Sequence, residues 1–289
     1  MLGGYNLSLQ GDSHKSSGTV CQDASCIKLL PCGWLAAAVA DGVGSAKYSD
    51  IGSELAVRAA TDYIYECCPS EWDINNLTNV LITAYETALE KITEKAEEDG
   101  NPLSEYDTTL TVAVYNGDCL AYAHVGDGGI ITLTKNGDFS IQTTAQKGDE
   151  FNSVNPLRSR KWEFGISESG ICAFAMLTDG IYDIVCPWLL SNQEQKVYIN
   201  YIRSFMDRNL LKADTEEDFE NIKREAESFL FSSYNSSITD DKTIAVIINT
   251  DVLPDVKDVE YYAEPDWDKL KEEKMEKLYA PKKAVVIEH

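Results

Sequence analysis

Five aspartates stand where apolar runs end or begin. Asp41 closes the run in "LAAAVADGVGSA", Asp127 the run in "YAHVGDGG" and Asp179 the run in "FAMLTDG", while Asp240 opens "DDKTIAVI" and Asp23 precedes the run that starts in "CQDASC". Taken singly, an Asp-Gly pair is a turn, because the carboxylate accepts local N–H groups and glycine tolerates positive φ. Asp99-Gly100 fits that description. Taken together, the five suggest more. Strand ends in a layered fold converge on one rim, and ionised carboxylates gathered within about 5 Å repel one another unless protons or cations offset them. With oxygen donors and no adjacent histidine or cysteine, the cation is expected to be hard: Mg²⁺, Mn²⁺ or Ca²⁺.

The elements that would carry these residues follow from the patterning. Residues 5–10 and 24–30 have strand composition, separated by a polar loop holding Ser13, His14, Lys15 and Gly18. The uniformly apolar "WLAAAVA" (34–40) is too short for a surface helix and reads as a strand buried on both faces. Apolar residues at threes and fours predict helices over about 50–67 and 76–98, the second stopped by Gly100 and Pro102. From Asp107 the period changes to two, with Asn116-Gly117, Asp127-Gly128 and Asn136-Gly137 between short runs, the signature of an antiparallel meander. An irregular loop is expected over 146–168, a strand over 170–178, helices near 192–211 and 215–231, and a last strand over 240–250. The tail holds a Lys/Glu helix around 266–278 and a short apolar stretch, "AVVIE". Strands, two helices, a run of strands, two helices and a strand suit an α+β sandwich with helices outside the sheets.

Composition narrows the function classes. The 289 residues carry 48 acidic and 25 basic side chains, a formal charge of -23. That field repels phosphate backbones and anionic lipid and attracts cations, so neither nucleic acid nor membrane is an expected partner. No run approaches the ~20 apolar residues of a membrane helix. The N-terminus lacks a basic start with an apolar core, so no secretory signal is expected, and a cytoplasmic setting is. The eight cysteines form no CxxC pair, and they read as small buried residues in a reducing compartment, with the adjacent Cys67-Cys68 the least typical.

"CQDA" (21–24), "VADGVGSA" (39–46), "DTTLTV" (107–112), "HVGDGG" (124–129), "LTDGIYD" (177–183) and "DDKTIAVI" (240–247) resemble, in order, the successive motifs of the metal-dependent protein phosphatases of type 2C, in their bacterial branch. The resemblance implies an α+β, four-layer α/β/β/α sandwich: two central antiparallel sheets flanked by helix pairs. The domain is expected over residues 1–250; the tail, 251–289, reads as an extension of helix and short strand packed on the same domain, with recruitment of a partner the other reading. The resemblance implies two Mn²⁺ or Mg²⁺ ions, with room for a third, weaker one. Asp41 matches the aspartate bridging the two metals, and Gly42 would give its backbone carbonyl to the second. Asp179 and Asp240 match the carboxylates of the first metal, with Asp241, where the family usually has asparagine, as the other choice. Asp23 and Asp127 match residues that hold metal waters or, with Asp179, the third metal. Catalysis would run through Asp41, Asp179 and Asp240 by way of a metal-bridging hydroxide.

Three departures from the family pattern bear on phosphate, one being a fourth motif that reads Gly-Asp-Gly-Gly (126–129) without the Ser-Arg common elsewhere. The arginine found in many members five residues before the first-motif aspartate is here Gly18, and the histidine some members place after the second-motif Asp-Gly is Val43. His14 and Lys15, in the same loop as Gly18, are the candidates to bind phosphate instead. Lys147, Arg158, Arg160 and Lys161 fall where the family has its flap. The expected activity is a phosphoserine/phosphothreonine protein phosphatase acting on a phosphoprotein and opposing a Ser/Thr kinase. The other reading is a catalytically weak or inactive relative that binds a phosphoprotein or kinase as a regulator.

Overall fold

The apolar strands pair into two antiparallel five-stranded sheets. In the computed structural model, which describes residues 1–67, 71–146 and 154–279, one sheet runs β1 (Leu2–Leu9), β10 (Lys242–Asn249), β9 (Ile171–Leu177), β6 (Gly129–Thr134) and β7 (Phe139–Ile141). The other runs β2 (Ala24–Leu29), β3 (Leu35–Ala40), β4 (Leu110–Tyr115), β5 (Leu120–Val125) and β8 (Glu163–Ile166). Period two decides what each strand covers. Along β3, Leu35, Ala37 and Val39 enter the layer between the sheets with Tyr115, Phe174, Met176 and Ile247. Ala36, Ala38 and Ala40 face outward against α2 (Ser49–Cys67) and α3 (Ile74–Asp99). Six apolar residues, all buried and four of them alanine, are what a central strand between two packed layers requires.

The first sheet is covered on its outer face by α4 (Asp179–Val185), α5 (Ile199–Met206) and α6 (Glu216–Leu230), through Ile181, Val185, Ile202, Phe205, Phe219 and Ile222. The result is the α+β sandwich of helices, sheet, sheet and helices. α7 (Trp267–Tyr279) follows a segment tied to this side, where Phe139 N donates to Tyr261 Oη at 2.8 Å and the Arg203 guanidinium stacks 3.9 Å from the Tyr262 ring centroid. Trp267 meets Tyr198 edge-on, and Lys274 Nζ donates to Ser191 Oγ at 2.7 Å.

Some expected elements differ. The polar loop before Gly18 holds a one-and-a-half-turn helix, α1 (Asp12–Ser17), which buries no residue. It carries no apolar periodicity, and its order comes from its ends: Ser13 N donates to Thr239 O, and Gly18 closes it at φ 73°. The segment read as an irregular loop contains β8, a half-buried edge strand too short for alternation to show. α4 starts on Asp179 itself, and the helix expected over 192–211 contracts to α5. Cys68 of the cysteine pair, Lys147 and the stretch "AVVIE" lie outside the described residues.

Candidate metal centre

Each aspartate reaches the rim by its own local device. Asp41 follows β3, where its N–H donates to Thr109 Oγ1 and its carbonyl accepts from Thr109 N, both at 2.8 Å, and from Thr108 Oγ1 at 3.0 Å. The backbone of Asp41 is thus tied at both N–H and C=O to the Thr108–Thr109 segment, which fixes where its side chain starts. Gly42 follows because nothing larger fits: a Cβ there would lie 2.8 Å from Gln22 O and from Ser49 Cβ. Asp127 sits in the β5–β6 turn between Gly126, at φ 130°, and Gly128, where a Cβ would lie 2.2 Å from Leu177 O. Asp179 is the first residue of α4, where exposed N–H groups suit a carboxylate. Asp240 precedes β10, and its Oδ1 accepts from Asp241 N at 2.9 Å.

Asp41, Asp127 and Asp179 each present a carboxylate oxygen within 4.8 Å of the others. They line a cavity of about 590 Å³ together with Asp240, Gly42, His14, Gln22, Asp107, Thr109 and Arg158. Asp23 is buried behind this wall rather than on it, its Oδ2 accepting from Thr178 Oγ1 at 2.8 Å. Lys15 is not brought to the cavity: its Nζ lies 3.2 Å from Asp12 Oδ1 and over the Phe231 ring. The short helix explains the split, since adjacent residues on α1 point about 100° apart. His14 takes the cavity side and Lys15 the outside.

The electrostatics are those of a site built for positive charge. Burial, then the neighbouring Asp23 and Asp179 carboxylates, pushes the Asp41 carboxyl well above the usual range. Burial and Asp240 raise Asp179. Burial takes Asp23 up to about 8 against the lowering effect of its threonine hydrogen bonds. The one arginine among the described lining residues, Arg158, directs Nε to Asp107 Oδ1 at 2.5 Å. Such a gathering is costly for the ionised groups on their own and becomes favourable around a divalent cation. The donors are carboxylate oxygens and backbone carbonyls, with no thiolate among them, so they fit Mg²⁺ or Mn²⁺.

Asp241 does something else. Its carboxylate, 3% exposed, accepts from Gly11 N at 2.7 Å on Oδ1 and from Gln22 N at 2.6 Å on Oδ2. Both oxygens are engaged away from the carboxylate cluster, while the Asp240 side chain lines the cavity. Arg158, Asp107 and Thr109 are wall residues that patterning did not single out as site residues. Arg158 stood in a basic patch, and Asp107 and Thr109 opened a strand motif, but only the packing of that loop on β4 brings them to the rim.

The family model for Protein phosphatase 2C matches residues 10–221. No curated protein matches the chain. Among solved structures, a bacterial serine phosphatase aligns with TM-score 0.61 at 13% identity, covering 89% of this chain and 100% of its own. The serine/threonine phosphatase Stp1 of Staphylococcus aureus aligns with TM-score 0.58 at 14% identity, covering 86% and 95%. The catalytic domain of the serine/threonine protein phosphatase PstP, solved with two manganese ions, aligns with TM-score 0.55 at 15% identity, covering 86% and 97%. At these identities the likeness is one of fold.

Proposed function

This chain belongs to the protein phosphatase 2C family, and from that premise we propose that it hydrolyses phosphoserine and phosphothreonine on proteins with the help of two divalent ions, Mn²⁺ or Mg²⁺. The observation that carries the reading is the approach of Asp41, Asp127 and Asp179 to within 4.8 Å on the wall of an open cavity. When bound, the ions supply a water acid enough to attack at neutral pH and offset charge on the phosphoryl oxygens.

The chain's own residues do the placing. Asp41 and the Gly42 carbonyl, Asp179 and Asp240 would hold the pair, and Asp127 with Asp179 a third, weaker ion. Asp23, hydrogen-bonded to Thr178, braces the start of α4 and so the direction of Asp179. His14 and Arg158 are the cationic or potentially cationic side chains among the described lining residues, on a wall otherwise acidic or neutral. They are the groups available to meet the dianionic phosphoryl group, since Gly18 stands where many relatives carry arginine. The catalytic unit is proposed to span 1–250, with 251–279 bracing the helices over β9 and β10.

The substrate would be a phosphoprotein of the cytoplasm, made by a Ser/Thr kinase. The decisive experiment is turnover of p-nitrophenyl phosphate, then of a phosphothreonine peptide, with and without Mn²⁺. Release of phosphate that a chelator stops is the expected result. Bound metal without turnover would instead support the second reading, a regulator that keeps the fold and binds a phosphoprotein or kinase; the missing arginine at position 18 is what favours it.

A further inference from the structure

Asp241 occupies a position where the family resemblance expects asparagine, and the structure supplies a reason for the carboxylate. Three donors converge on it: Gly11 N at 2.7 Å, Gln22 N at 2.6 Å and His14 Nδ1 at 2.9 Å from Oδ2. An asparagine has one acceptor oxygen, and its NH₂ would face a backbone N–H. A carboxylate accepts from both amides and keeps Oδ2 facing the imidazole. The two amides belong to the start of α1 and the approach to β2, so Asp241 fixes the base of the helix that carries His14.

The imidazole is the least restrained of the three donors. Nδ1 lies within contact distance of Asp241 but off the line of a straight hydrogen bond, and among the described residues it has no other partner. The ring is half-buried and lines the same cavity as Asp41, Asp179 and Asp240. With Nδ1 turned to Asp241, Nε2 is the nitrogen left for the cavity. There it is a donor to a phosphoryl oxygen in the charged ring and an acceptor for a phosphoryl hydroxyl in the neutral one.

We infer that Asp241 is a positioning residue: it holds His14 Nδ1 so that Nε2 meets the phosphoryl group, in place of the arginine that this chain lacks at position 18. The inference rests on the phosphatase reading for its ligand and on the Asp241–His14 contact for its geometry. It also separates the two adjacent aspartates by task. Asp240 lines the cavity where the ions would be held, and Asp241 faces the group that would grip the substrate.

The test uses Mg²⁺-loaded, ¹⁵N-labelled protein and two-bond ¹H–¹⁵N spectra of its histidines. With three histidines in the chain, His14 is assigned by its loss in His14→Gln. The wild type is expected to carry a proton on Nδ1 of His14, and inorganic phosphate is expected to shift Nε2 of His14 while leaving His124 unmoved. In kinetics on a phosphothreonine peptide, His14→Ala and Asp241→Asn should each raise KM roughly tenfold, with kcat changed by less than about threefold, as for loss of a charged ground-state contact. The double variant should be no worse than either single one. A wild-type His14 protonated on Nε2 alone would overturn the inference, as would a ring indifferent to phosphate. So would an Asp241→Asn effect that persists undiminished in the His14→Ala background. Asp241→Asn removes backbone hydrogen bonds too, so the wild-type spectrum decides even if that variant does not fold. Because the spectrum needs no turnover, its failure is distinguishable from failure of the phosphatase reading.

Discussion

At the scale of single residues, the site is a collection of charges that the fold tolerates badly without a cation. Asp41→Asn and Asp179→Asn are each expected to cut turnover by roughly a hundredfold or more, since a neutral amide is a poor ligand for a hard cation. The same variants separate binding from activity. In the wild type, Mn²⁺ at 100 times its dissociation constant should raise stability by about 2.7 kcal/mol, read as a higher Tm. Asp41→Asn should lose most of that rise, and a full metal-dependent shift in Asp41→Asn would remove this residue from the centre. His124 is a residue of the opposite kind. It is 0% exposed on β5, its Nδ1 lies 2.8 Å from Thr111 Oγ1, and burial lowers its pKa to about 4. The folded state therefore binds this proton less readily than the unfolded chain, whose histidine titrates near 6.5. The stability contributed by keeping His124 neutral is complete above about pH 6.5 and lost as pH falls toward 4, up to about 3 kcal/mol. Denaturant titrations of wild type and His124→Gln at pH 7.5 and 4.5 should show the gap between them narrowing at the lower pH; a constant gap contradicts it.

At the scale of elements, what matters is how few residues fix each end. Thr215 accepts from Asp218 N at 3.2 Å while Asp218 Oδ2 accepts from Thr215 N at 2.9 Å, a reciprocal cap that starts α6. Thr215→Ala should cost about 1 kcal/mol and leave turnover unchanged, because α6 covers the outer face of its sheet, away from the cavity. A loss of activity at unchanged Tm would mean that α6 reaches the site. The aspartate-bearing turns are less forgiving. Gly128 has backbone within 2.2 Å of where a Cβ would be, so the Asp127 turn admits no larger residue without moving β6 against β9. Patterning reads the long elements well: α2 and α3 repeat at 3.6, β4 and β5 lie among the turn signals of a meander, and β3 and β10 show as short apolar runs. It does not see α1 or β8, whose form is imposed by contacts from residues far away in the chain.

At the scale of the whole molecule, three cores stack from one face to the other: helices on sheet, sheet on sheet, sheet on helices. The segment after residue 250 joins the last of these through Tyr261, Tyr262, Trp267 and Lys274. Trp267→Ala removes an edge-on ring contact with Tyr198 and half-buried apolar surface, and should cost roughly 1–3 kcal/mol. An unchanged Tm would mean that α7 contributes nothing to the stability of the sandwich. The excess of 48 acidic over 25 basic side chains keeps cations near the surface, in keeping with the proposed metal dependence.

The sequence by itself determined the layered α+β class, the order of its long elements and, through six motifs in order, the phosphatase family, because strand-end aspartates and period-two runs are local signals. Five carboxylates beside apolar strands point to a hard cation only once they are taken together. The tertiary structure alone decided which of them share a wall. Asp41, Asp127 and Asp179 come together, and Asp23 is set behind them. Asp240 and Asp241, neighbours in the chain, turn to different partners. That choice depends on where Gly11, Gln22 and Thr178 lie, and residues more than 60 positions from a carboxylate leave no trace in the spacing around it.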